Sequence, residues 1–311
     1  MEYVFLYAGQ GSQRTGMGAD FYQEYEEYRQ VIDSVDIKIG NRGLRQLMEE
    51  ATLEELSDTS VTQPVMAAFG AGVTAVLKKK NIRPLAACGL SLGEYGALYA
   101  AGVFTAKTYV ELVANRGAYM AEASAVTSFK MTAVLGLEAE QVEEICSRCL
   151  AYGYVKIVNY NCPGQYVIGG DEKAVLQAEK LLKEAGAGRL VALKVSGPFH
   201  TAYMEPAAKR LEQYLEGIEF KKPCIPVCHN SIGGFAGENQ NLKELLKDQI
   251  QNSVYFEQNL RTLLEAGYES FLEIGPGSTL SSFVKKTAAA MGKKIRVISI
   301  DKVADLKKLT P

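Results

Sequence analysis

This 311-residue chain holds only two histidines, His200 and His229, so any acid–base chemistry by imidazole has a candidate list of two. Its formal net charge of -2 supplies no basic excess of the kind a nucleic-acid surface needs. The start, Met1-Glu2-Tyr3-Val4-Phe5, has no basic stretch ahead of an apolar one, and no signal peptide is expected. No apolar run approaches the ~20 residues needed to span a bilayer. Internal repeats and low-complexity tracts are missing as well. Together these absences predict a globular cytoplasmic protein with no membrane or nucleic-acid partner, and 47% hydrophobic content is enough for one large core or two.

The six cysteines lack a metal-binding pattern. Cys146-x-x-Cys149 resembles half a zinc site, but no second Cys/His pair accompanies it at zinc-ring spacing. Val142, Ile145, Cys146 and Cys149 share one helical stripe, so the pair reads as small buried hydrophobes. Cys224 and Cys228, in an apolar stretch that predicts a strand, take the same reading. The loop Ala8-Gly9-Gln10-Gly11-Ser12-Gln13 is glycine-rich, yet residue 14 is arginine where G-x-G-x-x-G needs glycine, and no Walker lysine follows. It is either a tight turn or a loop whose backbone N–H groups enter a site.

What the chain does have is Gly89-Leu90-Ser91-Leu92-Gly93-Glu94-Tyr95. Arg83 to Cys88 predicts a short buried strand ahead of it. Leu92, Tyr95, Leu98 and Tyr99 then recur at helical spacing until Gly102. G-x-S-x-G at a strand-to-helix junction is a nucleophile elbow, with the new helix aiming its N-terminal N–H groups at whatever the serine attacks. A serine hydroxyl needs a base, and histidine is the usual one because its ordinary pKa of about 6.5 lies near neutrality. His200 sits in the glycine-proline turn Ser196-Gly197-Pro198-Phe199-His200-Thr201, and His229 ends the predicted strand Cys224–Cys228.

Strands ending in glycine loops and joined by helices predict an α/β sheet with function at its carboxyl edge. From about 130 to 197 the pattern changes to strand 131–135, helix 138–152, strands 154–159 and 165–169, helix 172–185 and strand 190–195. This β-α-β-β-α-β order is ferredoxin-like. His200 follows its last strand directly, which would place Ser91 and His200 on opposite walls of an interdomain cleft. Later come helices near 206–214, 242–250 and from 278, with strands at 271–274 and 295–300. Lys285, Lys286, Lys293 and Lys294 read as solvated surface.

Thr105 to Ala123 predicts a helix capped by threonine, and its inward stripe of Tyr109, Leu112, Val113 and Met120 contains Arg116. Three readings stay open: a stem that packs while the guanidinium reaches water, a structural ion pair with Glu94, or a cation facing the cleft for an anion.

Taken together, these motifs resemble the malonyl-CoA:acyl carrier protein transacylases across essentially the whole chain. The match runs through Gly9-Gln10-Gly11-Ser12-Gln13, Gly89-x-Ser91-Leu92-Gly93-Glu94 and Asn115-Arg116-Gly117. It continues through Asn161-Cys162-Pro163-Gly164-Gln165, Gly197-Pro198-Phe199-His200-Thr201, Asn230, Gln249 and Glu273-Ile274-Gly275-Pro276-Gly277. The resemblance implies an α/β-hydrolase-like large domain, 1–128 and 198–311, with an inserted ferredoxin-like small domain, 129–197. It implies Ser91 as nucleophile, His200 rather than His229 as base, and the backbone N–H groups of Gln10 and Leu92 as oxyanion hole. Gln249 would orient His200 through its carbonyl, Arg116 would hold the malonyl carboxylate, and Phe199 and Asn161 would touch the substrate.

The substrates implied are malonyl-CoA and the phosphopantetheine of an acyl carrier protein in fatty acid synthesis, with a trans-acting polyketide acyltransferase as the alternative. No metal or other cofactor is implied, and a monomer is the simplest assembly. Leu90 stands where this family usually has histidine, Ala8 where proline often precedes the first glycine, and Ser253 where proline often follows Gln249. Two rival readings use the same residues: a serine hydrolase of acyl carriers, which Arg116 disfavours, and a carrier-docking protein with a decayed site, which the full set Ser91, His200, Arg116 and Gln249 disfavours.

Overall fold

In the computed structural model, which describes residues 2–124 and 128–309, side-chain alternation along the first strand divides the core in two. β1 (Glu2–Tyr7) sends Tyr3, Phe5 and Tyr7 into one apolar cluster and Val4 and Leu6 into another. A strand covered on both faces has no polar side, which is why its sequence reads as a continuous apolar run. Residues 19 to 80 are mostly helical as expected: α1 (Ala19–Glu24), α2 (Glu26–Ser34), α3 (Leu44–Glu50) and α4 (Thr59–Lys79), interrupted by a small hairpin of β2 (Lys38–Ile39) and β3 (Arg42–Gly43). Asp58 caps α4 by accepting from the Ser60 N–H. By length and composition α4 could cross a membrane, which corrects the expectation that no such run exists. It is instead buried along nearly its whole length as the central core helix.

β4 (Arg83–Gly89) lies parallel to β1, with Gly89 beside Tyr7, so the chain leaves both strands at neighbouring carboxyl ends. α5 (Gly93–Ala100) and α6 (Ala106–Ala123) follow, the latter capped by Thr105. The last strands of the chain, β12 (Ser270–Ile274) and β13 (Arg296–Ile300), complete a four-stranded parallel sheet in the order β13-β12-β1-β4.

The second layer is β5 (Phe129–Leu135), α7 (Ala139–Arg148), β6 (Val155–Cys162), β7 (Gln165–Asp171), α8 (Glu172–Glu184) and β8 (Arg189–Ala192). The predicted order is present, with the last strand ending at Ala192 rather than 195. Val134, Val142, Ile145, Cys146, Cys149, Ile157 and Ile168 pack between this sheet and its helices, so both cysteines of the C-x-x-C pair are core residues. The opposite face, with Met131, Ala133, Val158 and Val167, joins the main core.

After α9 (Glu205–Glu216), the strand expected at Cys224–Cys228 is largely irregular. β9 is only Cys228–His229, paired with β10 (Gly234–Phe235), and Val227 makes a single bridge to Ala87. Pro223 and Pro226 have no N–H to give a ladder, and Cys224 is exposed rather than buried. Beyond α10 (Leu242–Gln251), β11 (Val254–Tyr255) pairs with the free edge of β6, giving the mixed sheet the order β11-β6-β7-β5-β8. The smaller layer is therefore completed by residues outside 129–197, which cover an edge that would otherwise stay unpaired. Ser253 strengthens that seam by donating from Oγ to the Ile157 carbonyl at 2.7 Å. α11 (Phe256–Glu265) and α12 (Thr279–Ala290) cover the remaining face of the parallel sheet.

Candidate active site

The site begins where β4 turns into α5. Ser91 has φ of 54°, a left-handed conformation that a side-chain-bearing residue adopts only when its surroundings hold it there. The flanking glycines make the turn possible. A Cβ on Gly89 would lie 2.0 Å from the Gly93 carbonyl carbon, and one on Gly93 would lie 2.1 Å from the Tyr7 carbonyl oxygen. Asn230 holds the turn from outside, accepting from the Ser91 N–H at 2.6 Å and donating to the Gly89 carbonyl at 2.8 Å.

His200 reaches Ser91 from the far wall, with Nε2 at 2.9 Å from Oγ. Its Nδ1 lies 2.8 Å from the main-chain carbonyl of Gln249, which can only accept, so Nδ1 carries the proton and Nε2 keeps its lone pair. The imidazole is buried. Burial first, then the Arg116 cation and Lys156, push its pKa down to about 3 against the opposing pull of the Gln249 carbonyl. At neutral pH it is therefore an uncharged proton acceptor. His200 also has positive φ, 61°, so both members of the pair sit on constrained backbone.

Arg116 is wholly buried, which removes the reading in which its head reaches water. It does not meet Glu94 either. Its NH1 donates to Gln63 Oε1 at 2.7 Å, and its NH2 donates to Ser91 Oγ and Gln249 Oε1, both at 3.0 Å. Glu94 instead accepts from His229 Nδ1 at 2.7 Å, the Asn230 N–H at 2.9 Å and Gln249 Nε2 at 2.7 Å. His229 is thus engaged with a carboxylate away from the serine. Of these residues, Gln63 was not visible as functional in the sequence, although a polar side chain ahead of Pro64 in an apolar helix is a signal. Asn230 stood in a motif without an assigned task, and Glu94 only as a candidate ion-pair partner of Arg116.

A cavity of about 280 Å³ opens over Ser91, lined among others by Gln10, Leu90, Leu92, Asn161, Phe199 and Phe283. The space over Oγ is large enough for a small acyl group. Leu90 and Phe199 make its wall apolar, while Asn161 Oδ1 is buried without a protein partner among the described residues. Gln10 and Leu92 line the cavity from the ends of β1 and β4, and neither backbone N–H has a protein acceptor among the described residues. The Gln10 loop is held in place: its Nε2 donates to Thr59 Oγ1 at 3.0 Å, and Thr59 bonds Ser196 at 2.7 Å beside the His200 turn. Two free N–H groups beside an Oγ–imidazole pair can stabilise a negative oxygen formed at a carbonyl. The four exposed lysines near the C-terminus lie mostly apart from this cavity, except that Lys286 bonds Gln165 on its rim at 3.4 Å.

Residues 4–306 match the family model of the acyl transferase domain. A malonyl CoA-acyl carrier protein transacylase of Bacillus subtilis (strain 168) is 37% identical over 298 residues, covering 96% of this chain and 92% of the relative. The protein of that name from Haemophilus influenzae is 34% identical over 309 residues, covering 97% and 96%. Among solved structures, MCAT from Streptococcus pneumoniae superposes with a TM-score of 0.91 at 39% identity over 99% of both chains. PlMCAT, solved with AntF as a type II PKS acyl-carrier protein in complex with its malonyl-transacylase, superposes at 0.92 with 33% identity over 99% of this chain and 98% of that one.

Proposed function

The chain belongs to the acyl transferase domain family, and we propose on that premise that it transfers a malonyl group from malonyl-CoA to the phosphopantetheine thiol of an acyl carrier protein, in fatty acid or polyketide synthesis. The observation that carries the mechanism is the 2.9 Å contact between Ser91 Oγ and an unprotonated His200 Nε2. Oγ attacks the thioester carbonyl as its proton passes to Nε2. The C–S bond then breaks, coenzyme A leaves as the thiol after taking that proton, and a malonyl ester stays on Ser91. The carrier thiol repeats the sequence in reverse, giving its proton to His200 and attacking the ester, and Ser91 recovers its hydrogen.

The Gln10 and Leu92 N–H groups receive the oxyanion, each worth about 10² to 10³ in rate. Gln249 orients His200 through its main-chain carbonyl, and Phe199 and Asn161 bound the acyl pocket. Arg116 has three of its five N–H donors engaged, and releasing the NH2 bond to Ser91 Oγ would free an NH1/NH2 pair to grip the malonyl carboxylate. This chemistry calls for no metal or prosthetic group, and the reading places the protein in the cytoplasm. On the same premise the parallel layer, 1–128 and 198–311, is α/β-hydrolase-like and 129–197 is a ferredoxin-like insert, which the strand order β8-β5-β7-β6 supports.

The test is a two-stage mass measurement. Malonyl-CoA should add one malonyl group at Ser91, and holo acyl carrier protein should then remove it and gain the same mass. Release of free malonate instead would make the protein a hydrolase, and no adduct would end both readings.

A further inference from the structure

We propose that Glu94 is a positioning residue and internal counter-anion of the site, acting on Arg116 through the side-chain amide of Gln249 and setting how strongly Arg116 holds a substrate carboxylate. The proposal rests on the reading of Arg116 as the carboxylate receptor. Glu94, Arg116 and Gln249 are all completely buried, so each charge needs compensation from within the protein. The two charges do not touch. Between them lies the Gln249 amide, whose Oε1 accepts from Arg116 at 3.0 Å while its Nε2 donates to Glu94 at 2.7 Å and to the Ser91 carbonyl at 2.8 Å.

Only one orientation of that amide works. Arg116 can only donate, and the Glu94 carboxylate and Ser91 carbonyl can only accept. Turning the amide over would set donor against donor at one end and acceptor against acceptor at the other. Glu94 is itself held away from Arg116 by its bonds from His229 Nδ1 and the Asn230 N–H.

The consequence follows from the difference between a direct and a relayed pair. A carboxylate set directly on the guanidinium would use the fork that a substrate acid needs. An anion one amide away offsets the buried charge and leaves donors over. It also weakens the attraction of Arg116 for an incoming anion, which keeps malonyl binding moderate. Glu94 thus tunes selectivity without touching substrate.

The test compares kcat/KM for malonyl-CoA with kcat/KM for acetyl-CoA, because any effect on His200 divides out of that ratio. In E94Q the new amide oxygen can still accept from Asn230 and Gln249, while its NH2 donates to His229 in the other tautomer, so only the charge is lost. The ratio should rise about three- to tenfold, through a lower KM for malonyl-CoA. H229Q keeps the anion and should leave the ratio within about twofold of wild type. E94S, which removes the charge and leaves room for water to meet the same donors, should raise the ratio about three- to tenfold as E94Q does, and it serves if E94Q does not fold.

An unchanged ratio in E94Q or E94S, or an equal shift in H229Q, would overturn the proposal. R116A separates this from the underlying reading. If R116A keeps the malonyl preference, Arg116 is not the receptor; if R116A loses it and E94Q changes nothing, only the role of Glu94 fails.

Discussion

His200 and His229 are both buried, 4% and 1% exposed, yet they face opposite charges. His200 lies beside the Arg116 cation and an uncharged serine, with a carbonyl behind it, and its environment favours the neutral ring. His229 donates from Nδ1 to the buried carboxylate of Glu94 and helps hold that anion in place. One imidazole is left with a lone pair aimed at a hydroxyl, and the other is spent on structure. The same side chain keeps a free lone pair beside a guanidinium and serves as a brace beside a carboxylate.

The sharpest way to break this contrast is to remove each ring in turn. His200→Ala should lower kcat/KM for malonyl transfer by about 10³-fold or more, while His229→Gln should change it by less than about threefold. Equal losses in steady-state assays would mean that the two histidines are not divided in this way. Next in size, Arg116→Ala should cost about 10- to 100-fold of the preference for malonyl over acetyl, read as the ratio of kcat/KM values. Because Arg116 is one cause of the depressed His200 pKa, the acidic limb of the pH–rate profile should also move upward in that variant.

The smallest effect concerns stability in acid. With a pKa of about 3 when folded and about 6.5 when unfolded, His200 takes up a proton in the unfolded chain first as the pH falls. Stability is therefore lost progressively from about pH 6.5 downward, by about 2 kcal/mol at pH 5 from this group. His200→Asn, which tolerates the left-handed backbone there, should lose correspondingly less on acidification, as measured by urea unfolding at the two pH values.

Much of this was open to a reader of the chain. The elbow at Gly89–Gly93 follows from glycines that must let backbone approach backbone, and the strand and helix beside it follow from periodicity. The order of elements from 129 to 192 was equally plain, since amphipathic helices between apolar strands declare themselves. Less was visible near Cys224, where the apolar composition suggested a strand but Pro223 and Pro226 interrupt the ladder. β11 was not visible at all, because two residues carry no period and their pairing depends on an edge supplied nearly a hundred residues earlier.

Arg116 shows the division most clearly. Its place on an inward helical stripe is a matter of local spacing and needed no structure. Whether it met water, Glu94 or a ligand depended on Gln63, Ser91 and Gln249, which lie 53, 25 and 133 positions away. The sequence by itself determined which helix stripes would turn inward, which backbone would turn sharply and which groups could act as nucleophile and base. Only the tertiary structure decided that an amide would stand between the buried cation and the buried anion. Local pattern sets the direction of a side chain from its own element, but hydrogen bonds between elements require several of them to be placed to within an ångström.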